Sequence, residues 1–249
     1  MNSEPQCDVG VYRVWDLPVR LFHWINFLAV ISLFFLGFVM LYKKELGISS
    51  LEAKIALKEV HVIIGYVFAA NLLFRFVWAF AGNRFARWSA FLPHRGLAAE
   101  GRRYLQSLRR GEPEAWLGHN PLGRMAVAFL YLLLTIVAVT GLVRAGTDIY
   151  YPPFGALVQD YIAAEGVEPA SLKPYDETGV DAGRLERMKA FKGPFGDIHL
   201  YTAWVLLAML VVHIGAVILS DSREGGAIIS AMFTGRKYLR GKPVDAADR

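Results

Sequence analysis

Residues 197–219 read DIHLYTAWVLLAMLVVHIGAVIL, an apolar run long enough to cross a bilayer that nevertheless carries two histidines, His199 and His213. An imidazole in hydrocarbon is costly without a partner, so a histidine inside a span marks a functional site. The two are fourteen residues apart. On an α-helix that spacing amounts to about 1400°, within about 40° of four full turns, and to about 21 Å of rise. Both rings therefore leave one face, near opposite sides of a membrane. Haem iron accepts axial histidine nitrogens, and two haems stacked between helices need ligands at about this interval.

The whole chain has the composition of an integral membrane protein. Of its 249 residues 55% are hydrophobic and 13% aromatic, and the mean hydropathy is +0.34. Hydropathy that high arises when several segments are apolar on every face. Besides 197–219, three further spans are expected at 22–41, 60–80 and 124–143. Four spans use nearly all the apolar sequence. The expected fold is an all-α integral membrane four-helix bundle, with room for a fifth, shorter helix, in a single domain over 1–249.

The formal charge of +5 does not point to nucleic acid, because the basic residues cluster in short loops beside the spans. Arg84, Arg87, Arg95, Arg102, Arg103, Arg109 and Arg110 follow the second span against Glu100, Glu112 and Glu114, whereas 148–197 carries nine acids. By the positive-inside rule both termini and the arginine loop are cytoplasmic, and 144–196 is a periplasmic segment of the inner membrane protein. That segment is too polar to cross and rich enough in aromatics to fold over the outer end of the bundle. Cys7, alone in the chain, can form no internal disulfide and receives no role. No cleavable signal peptide is expected, since the first apolar run is as long as a full span.

This topology sorts the intramembrane histidines by depth. His61 and His199 fall near the outside, His23 and His213 near the inside, so each level receives two. Paired histidines fill both axial positions of a haem, which favours electron transfer over oxygen binding. Zinc or copper would call for further ligands at each depth, and the spans supply no nearby thiolate or carboxylate. Fourteen residues beyond His23 comes Gly37, and fourteen beyond His61 comes Arg75. Gly37 either lets helices pack closely or lets a haem plane pass the first helix. Arg75 either reaches inner headgroups or pairs with a propionate of an inner haem. His94 and His119 lie outside the spans and are read as non-ligands.

The chain resembles a family at this point: the membrane di-haem b-type cytochromes that serve as cytochrome b subunits of bacterial nickel-iron hydrogenases and related respiratory complexes. The resemblance rests on VWDLPVRLFHW (14–24), HVIIGYVFAANLLFRFVWAFAGNRFARW (61–88), DIHLY (197–201) with VVHIGAV (211–217), and SAMFTGRK (230–237). It implies two haem b, axial ligands at His23, His61, His199 and His213, and exchange of electrons with the quinone pool. It also implies an electron-transfer subunit of an oxidoreductase complex rather than an independent enzyme. The expected partners are membrane lipid, quinone, and a periplasmic redox protein of hydrogenase or c-type cytochrome kind. A quinone site is expected on the cytoplasmic side among Trp15, Arg20, His23 and Arg223. The competing readings are a standalone cytochrome b that passes electrons from quinol to a soluble acceptor, and a non-redox transporter. The transporter would need polar relay residues along the middle of the spans, and few are present.

Overall fold

The computed structural model describes residues 9–224 and 228–246, so Cys7 lies outside the described residues. Four helices are long and apolar enough to cross a membrane: α1 (Leu17–Leu41), α2 (Leu51–Ala81), α5 (Pro121–Ile149) and α7 (Ala182–Glu224). Between and after them lie the shorter α3 (Trp88–Phe91), α4 (Leu97–Arg109), α6 (Gly155–Ile162) and α8 (Ile228–Thr234), with a 3-10 turn at Pro169–Ser171. Besides the helices there is a two-stranded antiparallel ribbon, β1 (Val9–Arg13) paired with β2 (Arg236–Arg240).

Each long helix begins where a short polar side chain accepts an otherwise orphaned backbone N–H. Asp16 accepts from Val19 at 3.1 Å, Ser50 from Ala53 at 3.2 Å, Asn120 from Gly123 at 2.7 Å, and Asp181 from Arg184 at 2.8 Å. Pro18 and Pro121 sit in the first turns of their helices, where a missing N–H costs nothing. These caps explain why the helices start earlier than their apolar runs. The charged stretch before 60 is the first part of α2, and α5 starts at Pro121 rather than 124.

The largest departure from the expected bounds concerns 144–196. Residues 144–149 form the last turns of α5, and 182–196 are already helical within α7, so the irregular stretch between the spans is shorter than the sequence indicates. Pro194 lies inside α7 and removes a ladder hydrogen bond there. The helix continues through it because Leu185 and Met188, one turn apart, anchor the preceding stretch in a small core with Ile162, Ala163 and Leu172. At 43 residues α7 is about 64 Å long, about twice the hydrocarbon thickness, so only part of it can lie in lipid.

The described chain packs as two compact units, and each long helix contributes to both. One comprises residues up to Trp24, Leu73–Leu132 and the chain from Leu207 onward; the other comprises Ile25–Leu72 and Leu133–Leu206. In the first unit the ribbon seals the loop ahead of α5. Lys237 donates to the carbonyls of Trp116 at 3.0 Å and Gly118 at 3.1 Å, while Asp245 accepts from the N–H groups of Leu117 and Gly118. Val14, Phe85, Leu117 and Leu239 fill the space beneath. Gly235, at φ +77°, makes the turn into β2, and a Cβ there would lie 2.5 Å from the Trp15 carbonyl oxygen. The second unit contains the core around Ile162 and the helical segments bearing His61 and His199.

Candidate haem sites

In the second unit His61 on α2 and His199 on α7 turn their rings toward each other, with centroids 6.4 Å apart and planes at 71°. Two imidazole nitrogens each about 2 Å from one metal place the ring centres about 6 Å apart, so this separation leaves room for a single iron between the rings. The rings open onto a cavity of about 410 Å³, lined mainly by apolar side chains such as Phe34, Phe38, Phe68 and Trp204. Gly37 and Gly65 also line it, and a Cβ added to either would meet nothing within 4 Å.

Thr140 on α5 orients His199. Its hydroxyl lies 3.0 Å from His199 Nδ1 and 2.7 Å from the Ile136 carbonyl oxygen, to which it donates. The hydroxyl oxygen is then free to accept Nδ1–H, which leaves the Nε2 lone pair available for a metal. Gly141 stands next to it, and a Cβ there would come 3.2 Å from His199 Cε1. Among the described residues no group of three or more His, Cys, Asp or Glu is placed to hold a metal ion. A pair of histidines beside a cavity of this size suits a metal that brings its own equatorial ligands, which is what haem does.

Charged residues edge the same cavity. Asp148, in the last turn of α5, accepts from Arg144 at 2.6 Å, Lys58 at 2.8 Å and Lys192 at 3.0 Å, and its side chain is only 8% exposed. The sequence reading passed over this carboxylate because it was counted among the acids of a solvated loop. Arg144 four residues earlier on the same helix was the available signal.

The first unit holds both His23 and His213. His23 Nδ1 has no hydrogen-bond partner among the described residues. Arg75 is 3% exposed, with its guanidinium 5.0 Å from the Phe91 ring centre and 5.6 Å from that of Tyr131, whose hydroxyl it also meets. Its Nε and Nη1 are buried without partners among the described residues. The free donors of so enclosed a guanidinium suit a buried anion. Arg20 donates to the Phe233 carbonyl, and Trp24 donates to the Met232 carbonyl at 3.1 Å. The side chain of Arg223 lies outside the described residues.

The two histidines read as non-ligands differ. His94 is exposed, with one ring nitrogen 3.4 Å from Glu100. His119 is half-buried against Trp15, at 5.0 Å between ring centres, with its buried Nδ1 unpartnered among the described residues. Burial above all, then the positive charges of Lys237, Arg75 and Arg124, push its pKa down to about 3, so it is neutral at any physiological pH.

Comparisons with known proteins give the family. The family model for prokaryotic cytochrome b561 matches residues 14–235. A probable Ni/Fe-hydrogenase B-type cytochrome subunit from Cupriavidus necator is 26% identical, over 91% of this chain and 87% of that protein. The probable Ni/Fe-hydrogenase 1 B-type cytochrome subunit of Escherichia coli K12 is 25% identical over 94% of each chain. A probable Ni/Fe-hydrogenase B-type cytochrome subunit from Azotobacter vinelandii reaches 32%, over 51% of this chain and 57% of its own. No solved structure matches. Four spanning helices, paired histidines and a match over most of the length lead to one conclusion: the chain belongs to the prokaryotic cytochrome b561 family of membrane b-type cytochromes.

Proposed function

We propose that this cytochrome holds two haem b, one between His61 and His199 and one between His23 and His213, and conducts electrons across the bacterial inner membrane between a periplasmic redox partner and the quinone pool. The observation that carries the reading is the pair of imidazoles 6.4 Å apart between ring centres beside a largely apolar cavity. Haem, when bound, supplies one-electron chemistry between ferric and ferrous iron. The chain would supply the rest: His61 and His199 would each offer a ring nitrogen to hold the iron, Thr140 would fix the His199 tautomer, and the apolar walls would keep water away. Engaging both rings would leave no position for an exogenous ligand and would restrict the site to electron transfer.

The partner is of hydrogenase type in this reading, since the relatives bear that name. The segment between α5 and α7, acidic and folded about its own small core, is its docking surface. Quinone reacts on the cytoplasmic side, near Trp15, Arg20 and His23, where aromatic side chains and a cation suit an amphipathic ring. Purified protein should contain two haem b per chain, with a reduced-minus-oxidised spectrum of low-spin, six-coordinate iron. One haem, or a spectrum that carbon monoxide alters extensively, would sink the bis-histidine scheme. Arg20→Ala with Trp15→Ala, in protein that keeps both haems, should slow quinol oxidation several-fold; unchanged turnover and quinone affinity would move the quinone site elsewhere.

A further inference from the structure

Two features of the second unit belong together. The cavity at His61 and His199 is apolar along nearly all its wall, and its charged lining residues are Lys43, Lys58 and Arg144. An adjoining cavity of about 160 Å³ shares His61, His199, Lys58 and Arg144 with it and is lined also by Asp148 and Gly196. At this end one carboxylate serves three cations: Asp148 binds Lys58, Arg144 and Lys192. A single negative charge cannot balance three positive ones, so surplus positive charge faces a cavity whose other walls are apolar. Partly buried cations left uncompensated are costly, and a ligand that is apolar over most of its area and anionic at one edge would relieve that cost.

We propose that Lys58 and Arg144, held in place by Asp148 with Lys192 behind it, form the seat for the carboxylate edge of the haem at His61 and His199. The proposal rests on that site holding a haem. The seat sets which way round the macrocycle enters, because the opposite orientation would place two carboxylates against Phe and Val side chains and leave the cations unpaired. It also makes Asp148 an opponent of the group it helps to bind. Asp148 fixes the cations and at the same time subtracts from their field. Gly196 takes part as well, since a Cβ at that position would lie 2.7 Å from Arg144 Nη1, in the space the guanidinium occupies.

The test is a redox titration of the holoprotein and its variants, with haem content measured in parallel. A nearby cation favours the less positive ferrous state, so Lys58→Met and Arg144→Met should each lower the potential of one haem, and of that haem only. The shift should correspond to about a three- to tenfold change in the ferric-to-ferrous ratio, tenfold being about 59 mV for one electron. Asp148→Asn should raise the same potential. Lys192→Met, whose side chain lies behind Asp148, should lower it less. Lys58→Arg keeps the charge and should restore most of the Lys58→Met shift. Selective loss of the His61-dependent haem from Lys58→Met, reversed in Lys58→Arg, would equally support the seat.

Unchanged potentials in Lys58→Met and Arg144→Met with both haems bound would overturn the proposal, as would Asp148→Asn shifting the potential downward. Haem loss shared alike by Lys58→Met and Lys58→Arg would show a purely structural role and also overturn it. Failure of the underlying reading is separately visible: His61→Ala would then retain every haem.

Discussion

Replacing His61 by alanine is expected to remove one haem and leave the other, halving the haem content of a protein that still folds and inserts. The two candidate ligand pairs lie in different compact units, His61 with His199 in one and His23 with His213 in the other. Truncating His61 deletes one of two axial bonds and opens a void beside a cavity already about 410 Å³ in size. The remaining His199 keeps its hydrogen bond to Thr140, and the core around Ile162 is untouched. His23→Ala should produce the complementary loss, and the two spectra should sum to that of the parent. Pyridine haemochrome content per chain is the measurement. Loss of both haems or of neither from folded His61→Ala protein would disprove the pairing.

How far the site could be read from sequence depended on which physical signal each residue carried. Apolar runs interrupted by histidine give a strong signal, because an unpartnered imidazole is improbable in hydrocarbon, and fourteen-residue spacing fixes its face and level. That reasoning singled out His61 and His199, whose rings the structure brings to 6.4 Å between centres. It also reached Arg75, and Gly37 on the cavity wall. Residues whose role depends on contacts between helices gave no such signal. Thr140 looks like any hydroxyl in a span until its distance to His199 is known. Asp148 was hidden by the helix boundary: with α5 ending near 143 it belongs to a polar loop, and only the extra turns to Ile149 place it beside Lys58 and Lys192.

The β1–β2 ribbon was missed for a related reason. Its strands are five residues each, one at either end of the described chain, and neither VGVYR nor RKYLR announces a partner. Pairing at so long a separation is invisible to local pattern. Pro194 does not end α7: the stretches on both sides of it are helical, and Leu185 and Met188 pack the part that precedes it.

Arg75→Leu is expected to lower the potential of the haem at His23 and His213 while leaving the other unchanged. The guanidinium is 3% exposed and lies near the Phe91 and Tyr131 rings, with Nε and Nη1 donating to nothing among the described residues. Arginine stays charged, so this is a fixed positive charge in a low-dielectric setting. At an effective dielectric of about 20 and a separation of about 8 Å, one unit charge shifts an iron by about 2 kcal/mol, on the order of 90 mV for one electron. The sign follows directly: removing a cation favours the more positive ferric state. In haem-free protein the same change should cost little or be stabilising, because leucine removes two buried donors that lack acceptors. Arg75→Lys keeps the charge but loses the planar contact with the rings, and should recover most of the potential without all of the haem affinity. Potentiometric titration of both haems decides it. A potential unmoved in Arg75→Leu, with both haems bound, would mean that the charge is spent on the aromatic rings alone and that no propionate pairs with it.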